Sequence, residues 1–139
     1  MTTTTASPVL RDSRAPGKAL HVSLWILQVL LGAMFFLAGG KKLGADPQMV
    51  GLFEAIGIGQ SFRYLTGGLE VLGGVLLLVP RASGIGAALL VPVMLGATIT
   101  HLGLLHNSPG IPLALLAALV FVAWGRRAQV IALARRVLG

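Results

Sequence analysis

The sequence predicts an all-α integral membrane protein: a transmembrane four-helix bundle with a short amphipathic helix in its first outer loop. Two observations predict it. Hydrophobic residues make up 55% of the chain and charged ones only 11%, with a mean hydropathy of +0.88, whereas soluble domains are about one quarter charged. The apolar residues are also gathered into four blocks, each near the roughly 20 residues needed to cross a hydrocarbon core. The 139 residues hold no cysteine, which excludes a disulfide framework, thiol redox chemistry, thiolate-bound metal clusters and covalent c-type haem.

Residues 1–18, rich in Thr, Ser, Pro and Arg, carry too little apolar surface to offset the entropy of ordering and are expected to be a flexible tail. The block at 19–39 follows Arg11, Arg14 and Lys18 as a signal peptide would. It is longer than a signal core of about 7–15 apolar residues, and it is expected to be a retained signal-anchor helix. The second block, 62–79, has Ser61 placed as a cap and Pro80 placed as a stop. The third, 83–105, carries Pro92 near its middle, where a freed carbonyl must be re-satisfied by neighbours. The fourth and shortest, 111–124, ends on Trp124 beside two arginines, an aromatic at headgroup level. Residues 126–139 read as a basic helix or tail, with no single apolar face evident from the spread of the arginines.

Between the first two blocks, Asp46-Pro47 supplies a cap followed by proline at the first helical position. Met49, Leu52, Phe53 and Ile56 then recur at helical spacing until Gly57. That pattern predicts the amphipathic helix, either a cover for the bundle or a lid over an opening in it.

Orientation follows from Lys and Arg. Eight (Arg11, Arg14, Lys18, Arg81, Arg126, Arg127, Arg135, Arg136) fall on the side of both termini, and three (Lys41, Lys42, Arg63) on the other. The positive-inside rule therefore predicts a multi-pass protein of the cytoplasmic membrane with both termini cytoplasmic. The net charge of +7 is a topology signal and a bilayer attraction, with no soluble basic surface for nucleic acid.

Glu70 interrupts the second apolar block about eight residues in, roughly 12 Å below the outer boundary. A carboxylate at that depth is costly unless it is paired, protonated or wetted, so it is a candidate functional residue. At 100° per residue Arg63, Gly67, Glu70 and Gly74 share one stripe. Thr98, Thr100 and His101 reach the same half from the third block, and Lys42 reaches it from the end of the first. The candidate site is accordingly Lys42, Arg63, Glu70, Thr98 and His101. Three uses remain open: an ion pair that registers the helices, a pocket for a small amphipathic molecule, and proton handling by Glu70 with His101. The three histidines do not make a metal site, since His21 lies across the membrane from His101 and His106. No phosphate loop, Rossmann glycine pattern or nucleophile elbow occurs.

Over about residues 20–125 the chain resembles the DoxX and DoxX-like membrane proteins. The resemblance is carried by "FFLAGGKKL", "YLTGGLEVLGGVLLLVPR" and "VMLGATITHLG"; the middle stretch is the most specific. It aligns Lys42, Glu70 and His101 with recurrent polar positions of the family, and Arg63 and Glu54 match less closely. The resemblance implies a small four-helix inner-membrane domain, here 19–125. It also implies association with redox systems such as thiosulfate:quinone oxidoreductase or membrane assemblies of thiol and oxidative-stress enzymes. The expected function is an accessory or binding subunit for a redox- or quinone-linked system, with no intrinsic cofactor. Its intramembrane polar pocket would take a quinone or other lipophilic small molecule, and its partner would be a membrane-associated oxidoreductase. The alternatives are a membrane-embedded enzyme in which Glu70 and His101 perform acid/base chemistry, such as isomerisation or ring opening, and a purely structural subunit.

Overall fold

The structure, a computed structural model, describes residues 17–139, so most of the expected tail at 1–18 lies outside the described residues. Every regular element among them is helical: α1 (Lys18–Leu43), α2 (Pro47–Ile56), α3 (Gln60–Leu78), α4 (Ser83–Gly103), α5 (Gly110–Gly125) and α6 (Arg127–Leu138). Helices α1, α3 and α4 are each long and apolar enough to cross a bilayer, and α5 with α6 makes a fourth candidate if the bent pair is counted as one span. The polarity of the fold is that of a membrane protein. Leu30, Leu37, Ile99 and Ile111 are each more than 60% exposed, while Gln28, Arg63 and Glu70 are 3% exposed or less. In water that arrangement would forfeit hydrophobic burial; in lipid the apolar surface meets acyl chains and the polar groups are kept away from them.

α1 packs on α3, α3 on α4, and α4 on α5, with α5 returning to α1. Leu24, Leu31, Phe35, Leu77, Leu90, Met94, Leu119 and Val122 fill the shared core. Helix association in lipid depends on close van der Waals approach, which small residues permit. The α1–α3 seam is built this way. A Cβ on Gly39 would stand 2.6 Å from the Gly67 carbonyl oxygen, and one on Gly74 would stand 2.8 Å from the Gly32 carbonyl oxygen. The pairs 32/74 and 39/67 are each one heptad apart on antiparallel helices, so the two backbones touch at two levels.

Two boundaries differ from expectation. α1 runs on through Lys41 and Lys42 to Leu43, past the expected end at residue 39, because the lysines favour the negative end of the helix dipole. α3 starts at Gln60 behind Gly59, and no side chain caps it. Ser61 is already inside the helix, and its place as terminator of the loop is taken by Gly59 at φ 87, a backbone conformation that glycine adopts without strain. α4 continues through Pro92 to Gly103.

α2 sits where the Asp-Pro signal predicted a helix. The Asp46 carboxylate accepts the Gln48 N–H at 3.0 Å, and Gly57 closes the helix in the left-handed conformation at φ 78. Phe53 is buried and Met49, Leu52 and Ile56 are half-buried. Asp46→Ala removes the acceptor from an orphan donor and is expected to cost α2 about 1 kcal/mol. Hydrogen exchange should accelerate at Gln48 and its neighbours while α3 stays protected.

Candidate functional site

The extension of α1 by its last turn is what builds the site. It carries Lys42 to the level of Glu70 on α3, where its ammonium donates to both carboxylate oxygens, 2.7 Å to Oε1 and 2.6 Å to Oε2. The Glu70 side chain is 4% exposed and that of Lys42 15%, so this is a nearly enclosed, charge-assisted pair with the lysine at its more open edge. The four stripe residues Arg63, Gly67, Glu70 and Gly74 are all buried on one face of α3. The glycines admit α1: a Cβ on Gly67 would lie 2.8 Å from the Lys42 Cβ.

Arg63 does not complete the pair. Its Nη1 donates to the Lys42 carbonyl, its Nε donates to Gln60 Oε1 at 2.6 Å, and its guanidinium lies 4.3 Å from the centre of the Tyr64 ring. The last carbonyls of a helix have no partner within it, and Arg63 serves one of them. It positions Lys42 through the backbone and leaves the ammonium free for Glu70.

Beside the pair lies a cavity of about 660 Å³ between α1, α2, α3 and α4. Leu37, Leu52, Phe53, Phe62 and Val93 contribute to its apolar walls, with Lys42, Glu70, Thr66, Thr100 and His101 as polar points. Met49, Leu52, Phe53 and Ile56 of α2 form one of its walls. His101 Nδ1 lies 2.6 Å from the Asn107 amide oxygen. That oxygen can only accept, so in the neutral ring Nδ1 carries the proton and Nε2 remains an acceptor. Arg63 and Thr98, both expected to line the pocket, are not among its walls. Thr98 is buried with its hydroxyl donating to the Met94 carbonyl at 2.8 Å, the intrahelical bond open to any threonine in a helix. Thr100 takes its place in the wall.

Residues 26–125 match the sequence model of the DoxX-like family. The chain belongs to the DoxX-like family. A second comparison is with the protein named "Putative oxidoreductase CatD" from Bacillus subtilis (strain 168), which is 29% identical over 83 residues, covering 60% of this chain and 62% of that one. The chain thus spans less than two thirds of the length of that curated relative. No solved structure matches.

A second polar cluster, which sequence reasoning missed, lies at the opposite end of the helices. Gln28 on α1 is fully buried; it donates to the Leu77 carbonyl at 3.5 Å and accepts from Arg126 Nε at 2.9 Å. Arg126, just past the family match, also approaches His21 Nδ1 at 3.2 Å, and its Nη2 is buried with no partner among the described residues. The signal available in the sequence was Gln28 itself, an amide inside an apolar span. Its partner lies 98 residues away and was read only as a topology charge.

Proposed function

We propose that this DoxX-like protein forms a four-span bundle in the cytoplasmic membrane with both termini cytoplasmic. In its outer half it binds a lipophilic small molecule carrying a polar head, of which a quinone is the leading class, and so serves as an accessory subunit to a membrane-associated oxidoreductase. The observation that carries this reading is the coincidence of the cavity with the Lys42–Glu70 pair and His101. Small-molecule sites are typically of about 300–1,000 Å³, mostly apolar, with a few convergent polar groups, and the cavity of about 660 Å³ fits that description. The ammonium has one donor left after serving both Glu70 oxygens, and His101 Nε2 offers an acceptor. A head with a carbonyl or hydroxyl can use both while its tail lies against the apolar walls. The oxidoreductase named in Bacillus subtilis supports a redox context for the partner. In this reading α2 is the lid.

The acid/base enzyme alternative is less well supported, because Glu70 has both oxygens committed to Lys42 and would have to release it before accepting a proton from a substrate. The test is to purify the protein in mild detergent, identify co-purifying lipophilic molecules by mass spectrometry, and compare wild type with Glu70→Gln and His101→Ala. We expect one molecular species in wild type and at least about a tenfold loss in Glu70→Gln, because the charge-assisted bonds worth about 1.5–3 kcal/mol that hold the Lys42 ammonium at the cavity are weakened. Equal ligand content in all three proteins would refute the assignment of the pocket.

A further inference from the structure

We propose that α6 is an interfacial helix that lies on the cytoplasmic leaflet and holds anionic phospholipid headgroups, with Arg135 and Arg136 as the headgroup contacts. The proposal takes α5 alone as the fourth span, with α6 outside it, and is independent of any ligand in the outer cavity.

The geometry comes first. α5 and α6 meet at 72°, across Arg126, whose φ of −111° and ψ of 19° break the helical run. Spans tilt on average about 20° from the bilayer normal, so a helix turned by 72° from one runs close to the membrane plane. Its depth is fixed by the protein. Gln129 accepts the Gly84 N–H at 2.8 Å and donates to the Pro80 carbonyl at 2.8 Å, which ties the first turn of α6 to the junction of α3 and α4. Trp124 at the end of α5 supplies the interfacial aromatic.

The faces of α6 sort correctly once Arg127 is accounted for. On a wheel at 100° per residue, Leu133, Val137, Val130, Ala134, Leu138 and Ile131 fall within one arc, and Arg135, Ala128, Ala132 and Arg136 fall in the arc opposite, with Ala134 and Ala132 near the two centres. From sequence Arg127 spoils the apolar side. In the structure its guanidinium turns back, donating to the Trp124 carbonyl at 3.0 Å and lying 5.2 Å from the Trp124 ring centre. The apolar side is left clear, and nothing among the described residues covers it: Val137 is 73% exposed and Leu138 86%. An amphipathic helix with arginines opposite exposed aliphatic residues is matched by an interface where acyl chains and anionic headgroups are a few ångströms apart. Charge complementarity selects the occupant. Residues 126–139 hold four arginines and no acid, so the same face of a second copy would be repelled.

The absence of cysteine allows single labels on the whole protein. Ala132→Cys and Ala134→Cys, 200° apart on the wheel, would each carry a polarity-sensitive fluorophore, in nanodiscs of phosphatidylcholine with phosphatidylglycerol and of phosphatidylcholine alone. In the anionic discs the 134 label should be blue-shifted and quenched by a shallow lipid-borne spin label at least about twofold more than the 132 label, as insertion of one face requires. Removing phosphatidylglycerol, or introducing Arg135→Gln with Arg136→Gln, should bring the two positions together. Water-like emission at both positions would overturn the proposal. So would a 134 label shielded from water but out of reach of the lipid quencher, which would mean a protein cover, or a contrast indifferent to both phosphatidylglycerol and the arginines.

Discussion

Lys42→Met is expected to destabilise the protein by about 3–5 kcal/mol, because it leaves a buried carboxylate without its counter-charge. Glu70 is 3% exposed, and its two oxygens have no other cationic partner among the described residues. The converse variant, Glu70→Met, should cost less. Lys42 is at the more open edge of the pair and has a flexible stem that can carry its ammonium toward headgroups or water. The double variant Lys42→Met/Glu70→Met removes both charges and should return to within about 1 kcal/mol of wild type, or exceed it, since burying an ion pair recovers little of its desolvation cost. Thermal unfolding of the four proteins in one detergent closes the cycle. If Lys42→Met proved as stable as the double variant, the carboxylate would be carrying no uncompensated charge.

The same cycle separates function from architecture. If the pair serves only helix register, an apolar pair that replaces it at equal stability leaves the ligand content unchanged. If the pair presents a polar head site, the double variant should be folded, stable and empty of the lipophilic species found in wild type. Lys42→Met and the double variant both lack the ammonium and should both be empty, so that stability is recovered in the double variant and ligand content is not.

The central pair was legible in the sequence for a physical reason. A carboxylate within an apolar run has few acceptable neighbours, and antiparallel connectivity brings only a few cations to its depth. The stripe through Arg63, Gly67, Glu70 and Gly74 needed nothing beyond 3.6 residues per turn, and all four residues are buried together. Arg63 was harder to place because its target is a backbone carbonyl. The need for that donor appears only when α1 is seen to end at Leu43, whereas the apolar run ends at residue 39. Thr98 was placed in the pocket because of its depth, but the choice between a cavity and an intrahelical bond to Met94 depends on the rotation of α4, which its nearly uniform apolar composition does not encode. Gln28, Arg126 and His21 had no local pattern at all. Their grouping follows from the return of α5 to the start of α1, a consequence of packing.

The α1–α3 seam yields the second large effect. In Gly39→Ala the new methyl would meet the Gly67 carbonyl oxygen at 2.6 Å and the Val71 amide nitrogen at 2.8 Å. Both are backbone atoms of α3, so no rotamer change relieves the clash and the helices must separate. The expected cost is about 1–3 kcal/mol of overpacking strain, read as a lowered midpoint of thermal unfolding. The adjacent Gly40→Ala is the control: nothing lies within 4 Å of its Cβ position, and the gain in helix propensity, up to about 1 kcal/mol, should leave it neutral or slightly stabilised. Because Lys42 is less than one turn beyond Gly39, separation at the seam also draws its ammonium away from Glu70. Gly39→Ala should therefore lose the bound lipophilic species together with stability, and Gly40→Ala should keep both. Equal behaviour of the two alanine variants would mean that the helices are not in backbone contact at Gly39, and the position of Lys42 would then need another cause.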